Sequence, residues 1–546
     1  MSPAGSRGGG APPPALIFHD GSFRTPQNGW VEAVGVIGDR IVALGTIDEV
    51  TSALPGAPQR IEIGGGFAFP GFCDAHLHIL NFGRARMGAS CWPDEAPTVA
   101  AIVDKVKAVD AILPPGRWMR GRGFDPARLA EHRTPTAAEL DAPSGRPVVL
   151  DSFDFHRRAV NHAVLDAAGI NEFSPDPPGG LIVRDRSGEP TGELLDAARG
   201  LVDKVLPPWE DSDDREAFLR TSRFWAAAGF THLMNAAPLG MASPGEEVRA
   251  FMRADEEGQS SVRVSTMIPL EVFHHVRALD LPLGFGKGRV RLNGVKIFAD
   301  GAFGPRTAFM HEPYADEEAT GHLSVPEDEL RRIVAEIAAA GWRACIHAIG
   351  DRAVAVAASA MASAPTGTLG HRIEHCCLTP DEVIGVMAAS NIVPVPQMPF
   401  LRQRSLDFSA ALGSERMAHL YPLRAWIDAG IRPLHSSDAP VVTDIRPMAS
   451  VHAAVTRRDA RGTVWGSSEA IELSEAMAML SAWPAEAEGL GRDLGRLAPG
   501  YLADMTVLPA DPFDMDVEEL EDLEASMTVV GGEVVWSRAP DGPSAP

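Results

Sequence analysis

Short apolar segments alternate with helical segments through most of the chain, and this alternation restricts the fold more than any other feature. The segment EDELRRIVAEIAAA (327–340) has acidic residues in its first turn, follows Pro326 and ends before Gly341, a pattern typical of a helix. Eight segments have the composition of buried strands: FAFPGFCDAHLHI, FTHLMNA, RVSTMIP, RVRLNGVKIFAD, RACIHAI, HRIEHC, NIVPVP and IRPLHSSD. Eight strands that alternate with helices predict a (β/α)8 TIM barrel, an α/β fold.

Both ends of the chain contain short strands that do not fit this alternation. Residues 15–69 include a hairpin turn at Gly38–Arg40, and residues 503–537 contain strands broken at a Gly-Gly turn. We expect one composite β-sandwich domain from 15–68 and 494–540; two separate β-decorations are the alternative. The other expected boundaries are a flexible Gly/Pro-rich tail at 1–14, the barrel at 69–493, and an insertion subdomain at about 83–214 after the first barrel strand.

The charge balance excludes several classes of partner. The 546 residues include 49 Lys+Arg and 73 Asp+Glu, a net charge of −24, whereas nucleic acids and anionic membranes are bound by basic surfaces. No apolar run is long enough for a membrane span. The five cysteines include no CxxC pair, which favours a reducing cytoplasm over a disulfide scaffold. We therefore expect a cytoplasmic protein with a small-molecule substrate and neither nucleic acid nor membrane as partner.

Two histidines occupy the end of the first predicted barrel strand. His76 and His78 in DAHLHI are two residues apart, so their side chains lie on the same face of a strand and could bind one metal ion. An HxH pair alone is equally compatible with a structural role. Its position favours a ligand role, because barrel active sites open at the carboxyl ends of the strands.

Four more residues stand at or near the ends of later strands. Lys296 lies among apolar residues, either reaching solvent or carrying a CO2-derived carbamate that bridges two metals. His347 and His375 are each compatible with a core or loop histidine, but as a pair at one barrel mouth they are candidate ligands. Asp438 could cap a helix or serve as the general base beside a metal.

The combined pattern resembles the amidohydrolase superfamily, and within it the amidohydrolase-3 (YtcJ-like) branch. The segments that carry the resemblance are PGFCDAHLH, AVNHAVLDAAGI, VKIFADGAFGPRTA, IHAIGDRAV, RIEHC, HSSDAPV and GRLAPGYLADMTVL, and they extend over nearly the whole chain. The resemblance implies hydrolysis of an amide-type C–N bond, with an N-substituted formamide as one expected substrate. Cyclic amides, carbamates and N-acyl amino acids stay open as alternatives, as does an inactive metal-binding regulatory protein. A homodimer is the assembly that the resemblance implies.

The resemblance also implies a binuclear zinc site, with other divalent metals as alternatives. His76 and His78 would hold the more buried metal together with Asp438. Lys296, as the carbamate, would bridge to a second metal held by His347 and His375. The chain departs from the common pattern at Asn235, at Ala302 and at Asp154-Phe155, so the substrate preference is the least constrained property.

Five further residues are candidates for substrate binding. His156, on the insertion, could close over the substrate or have a structural role. Arg306 could bind a substrate carboxylate or form a loop salt bridge. Gln397 could offer its amide to the pocket, and Trp92 and Phe303 could supply apolar walls or ordinary packing.

Overall fold

The computed structural model describes residues 14–26, 29–153, 157–237, 245–365, 367 and 369–538. They divide into two compact units. The first comprises 14–78, 222–237 and 251–538, and the second comprises 79–221 and 245–250. Among these residues, no helix is both long and apolar enough to cross a membrane.

A parallel sheet of seven strands in the first unit forms a nearly closed barrel. Its strands, in order across the sheet, are Val393–Val395, Arg372–His375, Ala344–Ala348, Val290–Phe298, Arg263–Pro269, Phe230–Asn235 and Phe72–Leu77. Gly286–Lys287 pairs antiparallel with the first two residues of Val290–Phe298, the central strand of the seven. Apart from this short strand, all neighbouring pairs are parallel, and the predicted barrel is confirmed.

The eighth predicted strand, IRPLHSSD, is not a regular strand, but its backbone closes the barrel. Leu434 donates to Pro394 on one side, whereas on the other Ala75 donates to the carbonyl of His435 at 2.9 Å. Asp438 then donates to the carbonyl of His76 at 2.7 Å. These isolated bonds replace a ladder, because the segment turns sharply at Asp438, whose φ is 58°.

Helices follow most barrel strands, and the segment Glu327–Ala339 shows why they form. Its first turn holds Glu327, Asp328 and Glu329, which favour the positive end of the helix dipole. Leu330, Ile333, Val334 and Ile337 form the buried face at helical spacing. The other helices of this unit are Ile47–Ala53, Leu270–Ala278, Asp351–Ser363, Asp381–Ala389, Met398–Ala418, Leu423–Asp428, Pro447–Thr456, Leu473–Leu480 and Ala482–Ala487, with 3-10 turns at Ser467–Glu469 and Val517–Asp522. Asp211–Ala227 and Glu246–Glu256 contain residues of both units.

Strands from both ends of the chain combine in one eight-stranded sheet of the first unit. Seven follow the order Glu533–Ser537, Met527–Val530, Met505–Leu508, Gln59–Pro70, Ala15–Thr25, Ala33–Ile37 and Arg40–Gly45, and Gly29–Val31 pairs with Ala15–Thr25. Residues as distant as Phe18 and Val507 share one buried apolar cluster. The predicted hairpin at Gly38–Arg40 is present, with Ile37 opposite Arg40.

The second unit has its own six-stranded sheet. The strand order is Gly180–Arg184, Pro190–Asp196, Arg157–Val160, Val148–Ser152, Met119–Phe124 and Ala89–Ser90. Its helices are Ile79–Ala85, Val99–Ile112, His162–Ala168 and Arg199–Asp203. Two apolar clusters, one around Phe124 and one around Val160, form its core.

Candidate metal centre

Three side chains predicted as metal ligands meet at the end of the barrel strand Phe72–Leu77. The Nε2 atoms of His76 and His78 each lie 3.4 Å from Oδ1 of Asp438. All three residues are buried, and the three ligand atoms lie within 4.8 Å of one another. Within the described part of the chain, Nε2 of His76 and Oδ1 of Asp438 have no hydrogen-bond partner. Buried acceptors that face one another in this way fit a cation between them.

Each of these histidines is oriented by a hydrogen bond at its other ring nitrogen. Nδ1 of His76 lies 2.5 Å from Oε2 of Glu374, and Nδ1 of His78 lies 2.8 Å from the carbonyl of Ala237. Both partners are acceptors, so each Nδ1 carries the proton and donates. Each Nε2 therefore presents a lone pair to Asp438, the form that binds a metal.

His347 and His375 lie beside this group. The ring centroids of His347 and His375 are 4.4 Å apart, and those of His76 and His375 are 4.9 Å apart. Nε2 of His347 donates to the carbonyl of Gly301 at 2.8 Å, and Nδ1 of His375 donates to Oε1 of Gln397 at 2.9 Å. The opposite nitrogens, Nδ1 of His347 and Nε2 of His375, therefore carry the lone pairs.

Burial keeps the imidazoles of His76, His347 and His375 neutral. It lowers the pKa of His347 to about 3 and holds the pKa values of His76 and His375 well below their ordinary value, with further lowering from neighbouring positive groups. Neutral imidazole is the form that ligates a metal. The structure thus gathers all four histidines singled out by sequence into one cluster, and burial holds the rings of His76, His347 and His375 neutral.

Lys296 is a buried amine next to this cluster. It is 5% exposed, and its Nζ lies 5.0 Å from the ring centroid of Phe298, which in turn is 5.2 Å from the His347 ring. No carboxylate of the described residues lies within 4.0 Å of Nζ. Burial lowers the pKa of the Lys296 amine, and the more distant charges of Glu374 and Asp438 oppose that shift. Of the two interpretations of Lys296, reaching solvent is therefore the less compatible with its position.

Asp74 binds the backbone next to two of the predicted ligands and was missed by the sequence prediction. Its Oδ1 accepts the backbone N–H groups of Ser437 (3.0 Å) and His76 (3.2 Å), and its Oδ2 accepts the Ser437 hydroxyl (2.6 Å) and the Trp225 indole N–H (3.0 Å). Burial raises the pKa of Asp74 to about 6. The carboxylate joins the segment that carries Asp438 to the strand that carries the HxH pair. Its place two residues before His76 is the only signal for it in the sequence.

Asp300 has a similar role beside His347 and was also missed. Its carboxylate accepts the backbone N–H groups of Ile349 (3.0 Å), Gly350 (2.9 Å) and Phe309 (2.9 Å), and its Oδ1 lies 3.6 Å from Nε2 of His347. Burial raises its pKa to about 7. Asp300 therefore connects the loops that follow the neighbouring strands Val290–Phe298 and Ala344–Ala348, next to His347.

The structure places two predicted pocket residues in other contacts. Gln397 is buried, and besides its bond to His375 it donates from Nε2 to the carbonyl of Val395 (2.8 Å) and to the Ser436 hydroxyl (3.0 Å). Both amide hydrogens of Gln397 are used in these two bonds, and its amide oxygen accepts from Nδ1 of His375. Gln397 therefore orients His375. Arg306 forms a bidentate ion pair with Asp316 and donates to nearby carbonyls, which matches the loop-salt-bridge alternative.

Phe303 belongs to an aromatic row that reaches the site. Its ring packs edge-on against Phe408 (5.2 Å), Phe408 packs against Phe400 (6.0 Å), and Phe400 stacks on His375 (6.4 Å). Phe303 itself is buried, so it contributes packing at the end of this row. Phe400 and Phe408 were not predicted, since single aromatics in a long helical segment carry no such signal.

The remaining predicted positions are placed as follows. Trp92 belongs to the second unit, where it packs against Gly123 and under Arg122. His156 and the Asp154-Phe155 departure lie outside the described residues. Asn235 is buried and donates from Nδ2 to the Thr266 hydroxyl at 3.1 Å.

Comparisons with known proteins place the chain in one protein family. The profile of the Amidohydrolase family matches residues 59–536. The chain is 30% identical over 535 residues to YtcJ of Bacillus subtilis (strain 168), a protein named as an amidohydrolase, with 96% of this chain and 99% of that protein covered. It is 28% identical over 545 residues to the N-substituted formamide deformylase of Arthrobacter pascens, with 96% and 98% covered. Among solved structures, an uncharacterized metal-dependent hydrolase from Pyrococcus horikoshii matches with a TM-score of 0.77 at 23% identity, covering 93% of this chain and 99% of that one.

Proposed function

Because the chain belongs to the amidohydrolase family, we propose that it hydrolyses an amide-type C–N bond of a small molecule, with an N-substituted formamide as the first candidate substrate. The observation that carries the proposal is the group of His76, His78 and Asp438. These residues bring unpartnered, buried acceptors together at the carboxyl end of a barrel strand, where the active sites of such barrels lie.

The donor set fits a divalent metal. His76, His78 and Asp438 would hold one ion, and His347 and His375 would hold a second, with zinc as the proposed metal because imidazole and carboxylate suit it. Such ions supply Lewis-acid polarisation of a carbonyl oxygen and make water more acidic.

The protein's own groups would manage the proton and the substrate. Asp438 accepts the proton of the attacking water and returns it to the departing amine nitrogen, serving first as base and then as acid. The Nδ1 contacts of His76 and His78 keep their lone pairs aimed at Asp438. The burial of all three residues limits competing water.

Lys296 is the proposed bridge between the two metal positions. Addition of CO2 to its neutral amine would form an N–C bond and release one proton, converting the neutral amine into a carbamate anion. Its burial, the absence of a carboxylate within 4.0 Å among the described residues and its place beside His347 support this assignment.

The substrate class rests on the relative from Arthrobacter pascens, which is named as an N-substituted formamide deformylase. Cyclic amides, carbamates and N-acyl amino acids are the alternative substrates within the same chemistry. A protein that keeps the barrel and binds metal without turnover is the alternative of another class. The intact set of ligand positions and Asp438 favour an enzyme over that alternative.

The test is a hydrolysis screen on protein loaded with zinc and analysed for metal content. N-substituted formamides, N-acyl amino acids, cyclic amides and carbamates are each assayed for amine release, with chelator-treated protein as the control. Turnover of one amide class that is lost with the metal is the expected result. Full metal content without turnover of any of the four classes would favour the non-catalytic alternative.

A further inference from the structure

Four buried charged side chains run through the interior of the barrel toward His76. Arg343 forms an ion pair with Glu488, whose Oε1 lies 3.8 Å from Nη1 of Arg372. Arg372 donates from Nε to Oε1 of Glu374 at 2.8 Å and from Nη2 to Oε2 at 3.0 Å. Glu374 Oε2 then lies 2.5 Å from Nδ1 of His76. The side chains of these four charged residues and of His76 are each at most 1% exposed.

Stability does not explain this row of charges. The interior of such a barrel is ordinarily filled with branched apolar side chains. Replacing a buried ion pair with apolar residues of similar volume is often neutral or stabilising, because desolvation offsets the attraction between the charges. A row that ends on a metal-ligand position therefore calls for a functional explanation.

The contacts of Glu374 determine which nitrogen of His76 is protonated. Arg372 donates to both carboxylate oxygens of Glu374, and Oε2 faces Nδ1 of His76 as an acceptor as well. Nδ1 of His76 must then be the donor, and Nε2 keeps its lone pair facing Asp438. Nη2 of Arg372 also donates to the carbonyl of Ala75 at 2.6 Å. This bond anchors the row of charges to the strand that carries the HxH pair.

The row is also balanced in charge. Arg343 and Arg372 carry two positive charges, and Glu374 and Glu488 carry two negative ones. Glu374 can therefore accept the hydrogen bond from Nδ1 of His76 while it stays paired with Arg372. Asn293 completes the shell, since its carbonyl accepts Nε of Arg343 at 2.7 Å.

We propose that Glu374, held by Arg372 and through it by Glu488 and Arg343, is a positioning residue that fixes the tautomer and ring orientation of His76 and so sets the metal affinity of the His76–His78–Asp438 site. The proposal rests on the metal site of the proposed function. It does not depend on the substrate, since metal binding is measured without turnover.

The Glu374→Gln variant tests this assignment with little change in volume. If the Gln oxygen accepts from Arg372, its NH2 group faces Nδ1 of His76 and donates to it, which moves the ring proton to Nε2 at the metal position. We expect zinc affinity, measured by competition with a chromophoric chelator, to fall about 10–100-fold, the range for carboxylates that support a ligating histidine. Unchanged zinc affinity would overturn the proposal.

Asp504→Asn is the matched control. Asp504 forms a buried bidentate pair with Arg263 (2.8 and 2.9 Å) that contacts none of the ligand positions. We expect this variant to lose stability and keep wild-type zinc affinity; an equal loss of affinity in both variants would show a general effect of destabilisation and refute a specific role.

Glu374→Asp covers the case in which Glu374→Gln does not fold. It keeps a carboxylate but withdraws it from Nδ1, so we expect an affinity below that of the wild type and above that of the Gln variant. Wild-type affinity in Glu374→Asp would count against the proposal. Full zinc binding without hydrolysis in the wild-type protein would refute the proposed function alone.

Discussion

Replacement of Asp438 by asparagine should make the metal-free protein more stable and the enzyme far less active. Oδ1 of Asp438 is buried, has no hydrogen-bond partner among the described residues and faces the Nε2 lone pairs of two histidines at 3.4 Å. An asparagine NH2 group in that position could donate to one of them. Satisfying buried acceptors in this way is worth about 1–3 kcal/mol.

The backbone conformation at position 438 does not oppose this increase in stability. Asp438 has a φ of 58°, in the left-handed region that asparagine tolerates as well as aspartate does. The effect on turnover has the opposite sign, because an amide cannot accept the proton of the attacking water. Loss of a general base lowers kcat by about 10²–10⁴-fold, and the loss of a ligand carboxylate weakens the metal site further.

The assay pairs urea unfolding of chelator-treated protein with amine-release kinetics at saturating zinc. Asp444→Asn is the control, because Asp444 is six positions away and pairs with Arg446 at 2.8 and 2.9 Å. That variant should lose stability and keep turnover. If Asp438→Asn is no more stable than wild type without metal, the inference that unpartnered acceptors face one another at this position is wrong. If the variant keeps turnover, the assigned proton transfer is wrong.

Three further predictions follow from the same contacts. Lys296→Ala should reduce the zinc content from about two ions per chain to about one, and a short carboxylic acid should restore the second ion; retention of both ions without the acid would exclude the carbamate. Gln397→Leu removes the acceptor of the His375 Nδ1 proton, so zinc affinity or activity should fall about 10–100-fold, and wild-type values would show that His375 is held by packing alone. Burial lowers the pKa of His232 to about 4, so folding stability should be lost as the pH falls from about 6.5 toward 4, because the unfolded chain binds the extra proton. The share of His232 is about 3 kcal/mol. His232→Asn should reduce the pH dependence of urea-denaturation stability over this range by that share, while the other buried histidines keep theirs, and an unchanged slope would contradict the assignment.

The sequence predicted those parts of the site that depend on local regularity. His76 and His78 are recognisable because a strand places residues i and i+2 on one face, and His347 and His375 are recognisable because each closes a short apolar strand. Parallel barrel strands bring their carboxyl ends to one face, so the cluster of four histidines followed from strand order alone. In the same way, seven strands could be identified from apolar runs between helices.

The parts that the sequence did not predict depend on distant partners. Glu374 in RIEHC reads as one polar residue in a buried strand, and its partner His76 lies 298 positions away. From the sequence, Gln397 was predicted to offer its amide to the pocket. In the structure, its two amide N–H groups donate to Val395 and Ser436 instead. The segment that ends at Asp438 has a strand-like composition, yet it bonds to its neighbours at isolated points, because its backbone must turn at that carboxylate.

The backbone at two proposed ligand positions adopts a conformation that non-glycine residues ordinarily avoid. His375 has a φ of 69° and Asp438 a φ of 58°, a region in which a non-glycine residue costs about 1–2 kcal/mol. Glycine would relieve the cost at either position but could supply neither an imidazole nor a carboxylate. Both residues lie where the chain leaves the barrel wall, and both are fixed by contacts beyond their own turn: Gln397 binds the His375 ring, and the Asp438 backbone N–H binds the carbonyl of His76. Strain that is held in place by such contacts on two members of one cluster is better explained by a required arrangement of ligands than by the folding of either loop.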